Sequence, residues 1–243
     1  TAMQENLSSY KGKTSTSSPS PHEWENAFGD ADVVFCITVT SSLSGTYNSA
    51  VIAKDIYEQN HAGRKVYVLD SLSTGPEIAL FIEKIAELIK AGFAPDDIYK
   101  TLLEYKDKTH LYFSLASLNN FAKNGRISPV IAAGIGLLGV RVVGKASDEG
   151  TLLPLDKCRG EKRALKKLID HLKECGYTDG KIIIAHNNNE AGALELKKLI
   201  ENTFGIFNGT IQKTRALCSY YAEPGSLLIG FEASLCNHKP YKD

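Results

Sequence analysis

The sequence predicts an α/β protein of two domains, an N-terminal mainly parallel α/β sheet and a C-terminal mixed-sheet α/β domain. Three observations carry this expectation. Strand, hydroxyl-rich loop and helix follow one another twice before residue 100, the order that builds right-handed crossovers between parallel strands. After Lys108, two strand-like runs are separated only by Asp148, Glu149 and Gly150, a turn that joins antiparallel strands. The 243 residues, 43% hydrophobic and 23% charged, suffice for one large or two modest cores and exclude a fibrous or disordered chain.

Thr1 to Pro21 lacks periodicity, and KTSTSSPSP (Lys13 to Pro21) reads as a loop by composition. VVFCITVT from Val33 is a β-rich run, TSSLSG a loop and YNSAVIAKDIYEQN a helix. KVYVLD (Lys65 to Asp70) then reads as a buried strand and SLSTG as a loop. Pro76 starts a helix at the position where its missing N–H costs nothing, and Ile78, Phe81, Ile82, Ile85, Leu88 and Ile89 mark its apolar face. Gly92 ends that helix; Pro95, Asp96 and Asp97 open the next. LYFSL, a helical piece to Asn124, a small-residue apolar stretch from Pro129 to Leu138, and the strands VRVVGKAS and TLLPLDK follow. Helices over Gly160 to Cys175 and Glu190 to Phe204 flank KIIIAH, and strands near Gly209 to Thr214 and Ser226 to Phe231 finish the fold. The grammar changes near Lys106 to His110, which divides the chain into domains 1–107 and 108–243.

Charge and composition exclude several functions. Twenty-eight basic against 28 acidic residues leave no net charge, and no basic block offers the footprint a nucleic acid requires. No apolar run reaches the ~18 residues of a membrane span, and no basic-then-apolar leader opens the chain. A cytoplasmic protein without stable membrane insertion is expected. The five cysteines are odd in number and irregular in spacing, so reduced thiols are expected. No H-x-x-H pair or cysteine–histidine cluster occurs, so no metal is expected. Ser44 lies in L-S-G-T rather than G-x-S-x-G, and no Asp–His pair has a diagnostic spacing, which disfavours a hydrolase.

Thr40 to Tyr47, TSSLSGTY, is the richest candidate. Five Ser/Thr residues and one glycine follow a strand and precede a helix. Hydroxyls such as that of Ser44, with the N–H groups of Gly45 and Thr46, can converge there on a carboxylate or phosphate. The same residues can also simply cap the helix, and spacing does not separate the two. Thr16, Ser17 and Ser18 ahead of Pro19, and DSLSTG (Asp70 to Gly75), carry the same ambiguity. Arg126, after the Asn124-Gly125 turn, either clamps an anion or stays solvated. Tyr221, ahead of Ala222-Glu223-Pro224-Gly225, either donates its hydroxyl to a ligand or packs. His186, ending IIIAH, either reaches a cleft or is satisfied at its strand end. Ile131 to Leu138 is small and apolar enough to line a tunnel or to fill a core.

TSSPSP (Thr16 to Pro21), SSLSGTYNSA (Ser41 to Ala50), VLDSLSTG (Val68 to Gly75), NGRIS (Asn124 to Ser128) and DEGTL (Asp148 to Leu152) occur in this order and spacing. From about Thr16 to Phe231 the chain thereby resembles the DegV family of bacterial fatty-acid-binding proteins. The resemblance implies a carrier rather than an enzyme, without cofactor, holding one long-chain fatty acid with its tail buried and its carboxylate at the interdomain cleft. It also implies a partner, a fatty acid kinase that converts the presented carboxylate to an acyl phosphate. By position, Thr16 and Ser44 look like the carboxylate ligands, with Ser17, Gly45, Thr46 and Tyr221 around them, and Arg126 looks like part of the cleft rim and partner-facing surface. Three departures stand out. Tyr221 replaces the histidine of the family's H-x-G-P-G, Arg141-Val142 stands for its K-P, and a first strand with an aspartate–serine loop is absent ahead of Thr1. The alternative is an α/β kinase-subunit-like enzyme whose TSSLSGTY loop holds a small phosphorylated or hydroxylated metabolite.

Overall fold

The computed structural model describes residues 14–127 and 139–233. The readings at Thr1 to Lys13, at Ser128 and from Pro129 to Leu138 lie outside these residues. Among the described residues eight helices and eight strands run in the order α1 (Pro21–Phe28), β1 (Val33–Thr38), α2 (Thr46–Asn60), β2 (Lys65–Asp70), α3 (Pro76–Lys90), α4 (Pro95–Lys106), β3 (Thr109–Leu115), α5 (Asn119–Lys123), β4 (Val140–Ala146), β5 (Leu152–Arg159), α6 (Glu161–Glu174), β6 (Ile182–His186), α7 (Glu190–Phe204), β7 (Gly209–Lys213), α8 (Ala216–Ala222) and β8 (Leu227–Glu232).

β1 and β2 pair in parallel, from Val33 opposite Lys65 to Thr38 opposite Asp70. The larger sheet has the order β5-β4-β3-β8-β6-β7 and is mixed. β6 and β7 are parallel, and the other pairs are antiparallel. A small parallel sheet followed by a larger mixed one is the α/β architecture that the sequence predicts.

At the centre of the larger sheet both faces are buried, which explains why β6 and β8 read as apolar runs rather than alternating ones. Ile182 and Ile184 of β6, with Leu227, Ile229 and Phe231 of β8, pack under α6 and α7. The intervening side chains point the other way. Ile183 joins the core made by α3 and α4, while Ala185 and Leu228 join Leu111, Phe113 and Leu115 of β3. Gly230 lets α3 begin directly against β8, because a Cβ there would lie 2.5 Å from the Pro76 carbonyl carbon. The α3–α4 core also takes Leu69, with Phe35 and Ile37 packed against it, so these helices touch both sheets. On its other face the small sheet is covered by α1 and α2 through Phe28, Ala50, Ala53 and Tyr57.

Four details differ from the sequence reading. A helix, α1, begins at Pro21, where the loop reading ends. Ser20 Oγ accepts from the Glu23 N–H at 3.2 Å, and Glu23 Oε2 accepts from the Ser20 N–H at 2.7 Å, a reciprocal capping box. A second helix, α8, includes Tyr220 and Tyr221. The apolar face of α3 is narrower than its periodicity suggests. Leu80, Phe81, Ile85 and Leu88 are buried, whereas Ile82 and Ile89 are 57% and 55% exposed, because the packed stripe is centred on Leu80 and Phe81. Finally, Cys36, Cys158 and Cys218 are free thiols but Cys175 is disulfide-bonded, which corrects the expectation of five reduced cysteines. Linear spacing carries no information on which Cβ atoms the fold brings within bonding distance.

Candidate functional site

A cavity of about 770 Å³ opens between elements of the two sheets, within the roughly 300–1,000 Å³ range of small-molecule sites. β3 contributes Leu111, Phe113 and Leu115, β8 contributes Leu228, α3 contributes Ile78, and β1 contributes Ile37. Three loops bring hydroxyls to it, from residues 16–18, 40–46 and 73–74. Among the described lining residues Arg126 alone carries a formal charge.

The loops are interlocked. Thr40 Oγ1 donates to the Gly150 carbonyl at 2.8 Å, Ser42 Oγ donates to the Glu149 carbonyl, and the Thr40 N–H donates to the Ser73 carbonyl at 2.9 Å. Gly150 has φ +76°, and a Cβ on it would lie 2.1 Å from Thr40 Oγ1. Glycine is therefore required at the tip of the β4–β5 hairpin both for its backbone angle and for this approach. These bonds join TSSLSG, DSLSTG and DEGTL, three motifs far apart in sequence, into one wall.

All of the site residues anticipated from sequence line this cavity: Thr16, Ser17, Ser44, Gly45, Thr46, Tyr221 and Arg126. Thr16 Oγ1 and the Tyr221 hydroxyl are hydrogen-bonded at 2.7 Å. Ser44 Oγ is 2.7 Å from Thr46 Oγ1 and accepts from the Thr46 N–H at 3.3 Å. Gly45, which caps α2, makes no side-chain cap, and a Cβ on it would lie 3.5 Å from Ser18 Oγ, so the first two loops touch. Ser49 Oγ holds the first loop in place by donating to the Pro19 carbonyl at 2.6 Å. Arg126 donates from Nε to the Leu43 carbonyl at 3.1 Å and from Nη1 to the Asn124 carbonyl at 2.6 Å. Bonding to neutral carbonyls fixes the guanidinium without cancelling its charge.

His186 takes the satisfied alternative. It is buried at the end of β6, its Nδ1 accepts from the Asn189 N–H at 3.2 Å, and it does not line the cavity. Burial and the nearby Lys213 push its pKa down, against an opposing pull from Glu190. No group of three or more His, Cys, Asp or Glu side chains among the described residues is placed to hold a metal ion.

Sequence reasoning missed part of the wall. Trp24, Leu217 and Cys218 line the cavity but belong to no chemical motif. The Ser20–Glu23 capping signal, read as such, would have placed Trp24 on a helix beside the first loop. Ser73 and Thr74 belong to DSLSTG, whose strand-end position was the available signal. Cys218 Sγ sits 3.5 Å from Thr74 Oγ1, and burial pushes its thiol pKa up.

A family model described as "Uncharacterised protein, DegV family" matches residues 2–234. The chain belongs to the DegV family. A DegV domain-containing protein of Streptococcus pneumoniae is 41% identical over 230 residues, 95% of this chain and 82% of that relative. Among solved structures, a DegV family protein from Eubacterium eligens loaded with heptadecanoic acid superposes with a TM-score of 0.93 at 40% identity, over 96% of this chain and 84% of the other. The Streptococcus pneumoniae Fatty Acid Kinase (Fak) B3 protein loaded with linoleic acid also gives 0.93 at 40% identity, over 96% and 83%. No helix among the described residues of this DegV protein is long and apolar enough to cross a membrane.

Proposed function

We propose that this protein is a non-catalytic carrier that binds one long-chain fatty acid and presents its carboxylate to a fatty acid kinase for acyl phosphate formation. The observation that carries the reading is an apolar cavity of about 770 Å³ with a single cationic lining residue among the described residues and a cluster of hydroxyls. That combination suits one long apolar chain ending in one negative charge. Relatives at 40% identity that were solved with heptadecanoic and linoleic acid support it.

In this reading the acyl tail runs along Leu111, Phe113, Leu115 and Leu228. The carboxylate meets Thr16, Ser17, Ser44 and Tyr221 with the N–H groups of Gly45 and Thr46, in the cleft between domains 1–107 and 108–243. Arg126 stands at the rim, on the side offered to the partner. About 0.8 kcal/mol per buried methylene gives on the order of 13 kcal/mol gross for a C18 tail. The costs of association bring this into the micromolar to nanomolar range. The hydroxyls replace the water that the carboxylate gives up. A kinase partner that consumes ATP would work in the cytoplasm, and the carrier belongs there in this reading.

The test is the Thr16→Ala/Ser44→Ala double variant, purified beside wild type and extracted for lipid. Wild type should carry about one fatty acid per chain, and the double variant should be empty with an unchanged circular dichroism spectrum. Stoichiometric lipid on the double variant would sink the head-group assignment. Acyl phosphate production by a purified fatty acid kinase should depend on added wild-type protein; production without it would remove the carrier role.

A further inference from the structure

Directly after Tyr221 and Ala222 of the cavity wall stands a strained residue that the proposed function does not use. Glu223, which ends α8, has φ 58° and ψ 159°, a combination adopted almost only by glycine. A side chain persists in such a conformation only where its surroundings over-determine it, and here they do. On one side, the Gly225 carbonyl accepts from Arg141 Nη1 at 2.7 Å and from Asn189 Nδ2 at 2.8 Å, and the Gly225 N–H donates to the Asn187 carbonyl at 2.8 Å. These bonds tie the turn to the larger sheet. On the other side, Glu223 Oε1 accepts from the Asn120 N–H in the first turn of α5 at 3.0 Å.

α5 has only five residues, joined to β3 by a short loop, and it carries Phe121, whose ring lies 4.8 Å from that of Tyr221. Both rings line the cavity. Asn120 Nδ2 donates to the Tyr220 carbonyl at 2.8 Å, and Asn124 Nδ2 donates to the Tyr220 hydroxyl at 2.9 Å. Glu223 supplies the acidic side chain in this contact between α5 and α8.

We propose that Glu223 is a positioning residue: its carboxyl oxygen clamps α5 to α8 and so holds Phe121 and Tyr221 together as one wall of the ligand cavity. The strained backbone is what aims that oxygen at Asn120. The clamp concerns the protein alone; its effect on ligand release rests on the fatty-acid reading.

Three substitutions test it. Glu223→Gly removes both strain and clamp, Glu223→Ala keeps the strain and removes the clamp, and Glu223→Gln keeps an acceptor oxygen. The readout is hydrogen exchange of residues 119–127 in ligand-free protein. Exchange should quicken about tenfold in the Gly and Ala variants, the factor that loss of one hydrogen bond to a charged group allows, and stay near wild type in Gln. The Gly variant should melt at or above the wild-type midpoint and the Ala variant below it, so loosening of α5 in Gly is separated from general instability. Unchanged exchange in Glu223→Gly overturns the clamp. Release of bound oleate should quicken with the exchange; a faster exchange with unchanged release overturns the positioning role. Should wild type bind no oleate, the fatty-acid reading is what fails, and the clamp still stands or falls by the exchange data.

Discussion

Glu77 is a carboxylic acid sealed beneath the first turn of α3. It is 4% exposed, and burial pushes its pKa up to about 7, against the opposing pull of Ser73, Thr109 and Lys106. Thr109 Oγ1 donates to its Oε1 at 2.8 Å. Because the native state holds this proton more tightly than the unfolded chain, the stability it contributes is complete below about pH 4.5 and is lost as pH rises through about 7. Glu77→Gln keeps the acceptor oxygen without the charge. Its stability relative to wild type should rise by roughly 3 kcal/mol between pH 4.5 and 8. Urea titrations at several pH values would show this, and a difference independent of pH would refute it. At Tyr221 the ring and the hydroxyl separate cleanly. Tyr221→Phe keeps the contact with Phe121 and loses the bond to Thr16, so lipid affinity should weaken by about 1 kcal/mol, roughly fivefold. Unchanged affinity would remove the hydroxyl from the proposed head-group site.

At the scale of elements, the β4–β5 hairpin is the most consequential contact. Gly150→Ala forces a methyl group against Thr40 Oγ1 at a positive φ and should cost about 2 kcal/mol or more, read as a lower urea midpoint with an unchanged slope. A neutral substitution would mean that the hairpin does not lock the TSSLSG loop. The hairpin itself was legible, because Asp-Glu-Gly between two apolar runs leaves few other turns. Its partner was not, since Gly150 and Thr40 are 110 residues apart and nothing local encodes that meeting. α1 was legible in principle from Ser20 and Glu23, whereas α8 has no side-chain cap at Arg215 and offered no start signal. Ile82 and Ile89 show the limit of periodicity, which locates an apolar stripe but not how much of it finds a partner.

For the whole molecule, alternating elements and one diagnostic turn carried the fold, because crossover handedness and sheet layering leave few arrangements. The site was legible differently. Hydroxyl-rich loops at strand ends left anion binding and helix capping open, and only the five motifs in register favoured a carboxylate. Trp24, Leu217 and Cys218 entered the cavity wall through tertiary packing that no motif marks. A ligand that binds only the folded state adds stability that grows with its concentration. The melting temperature should therefore rise stepwise with added oleate on delipidated protein and not with a small phosphorylated metabolite, and the reverse pattern would favour the enzyme alternative. The most direct measurement is native mass spectrometry of the purified protein, followed by solvent extraction of the same sample. One long-chain fatty acid per chain is the predicted result. An empty protein that also fails to take up added oleate would contradict the carrier account.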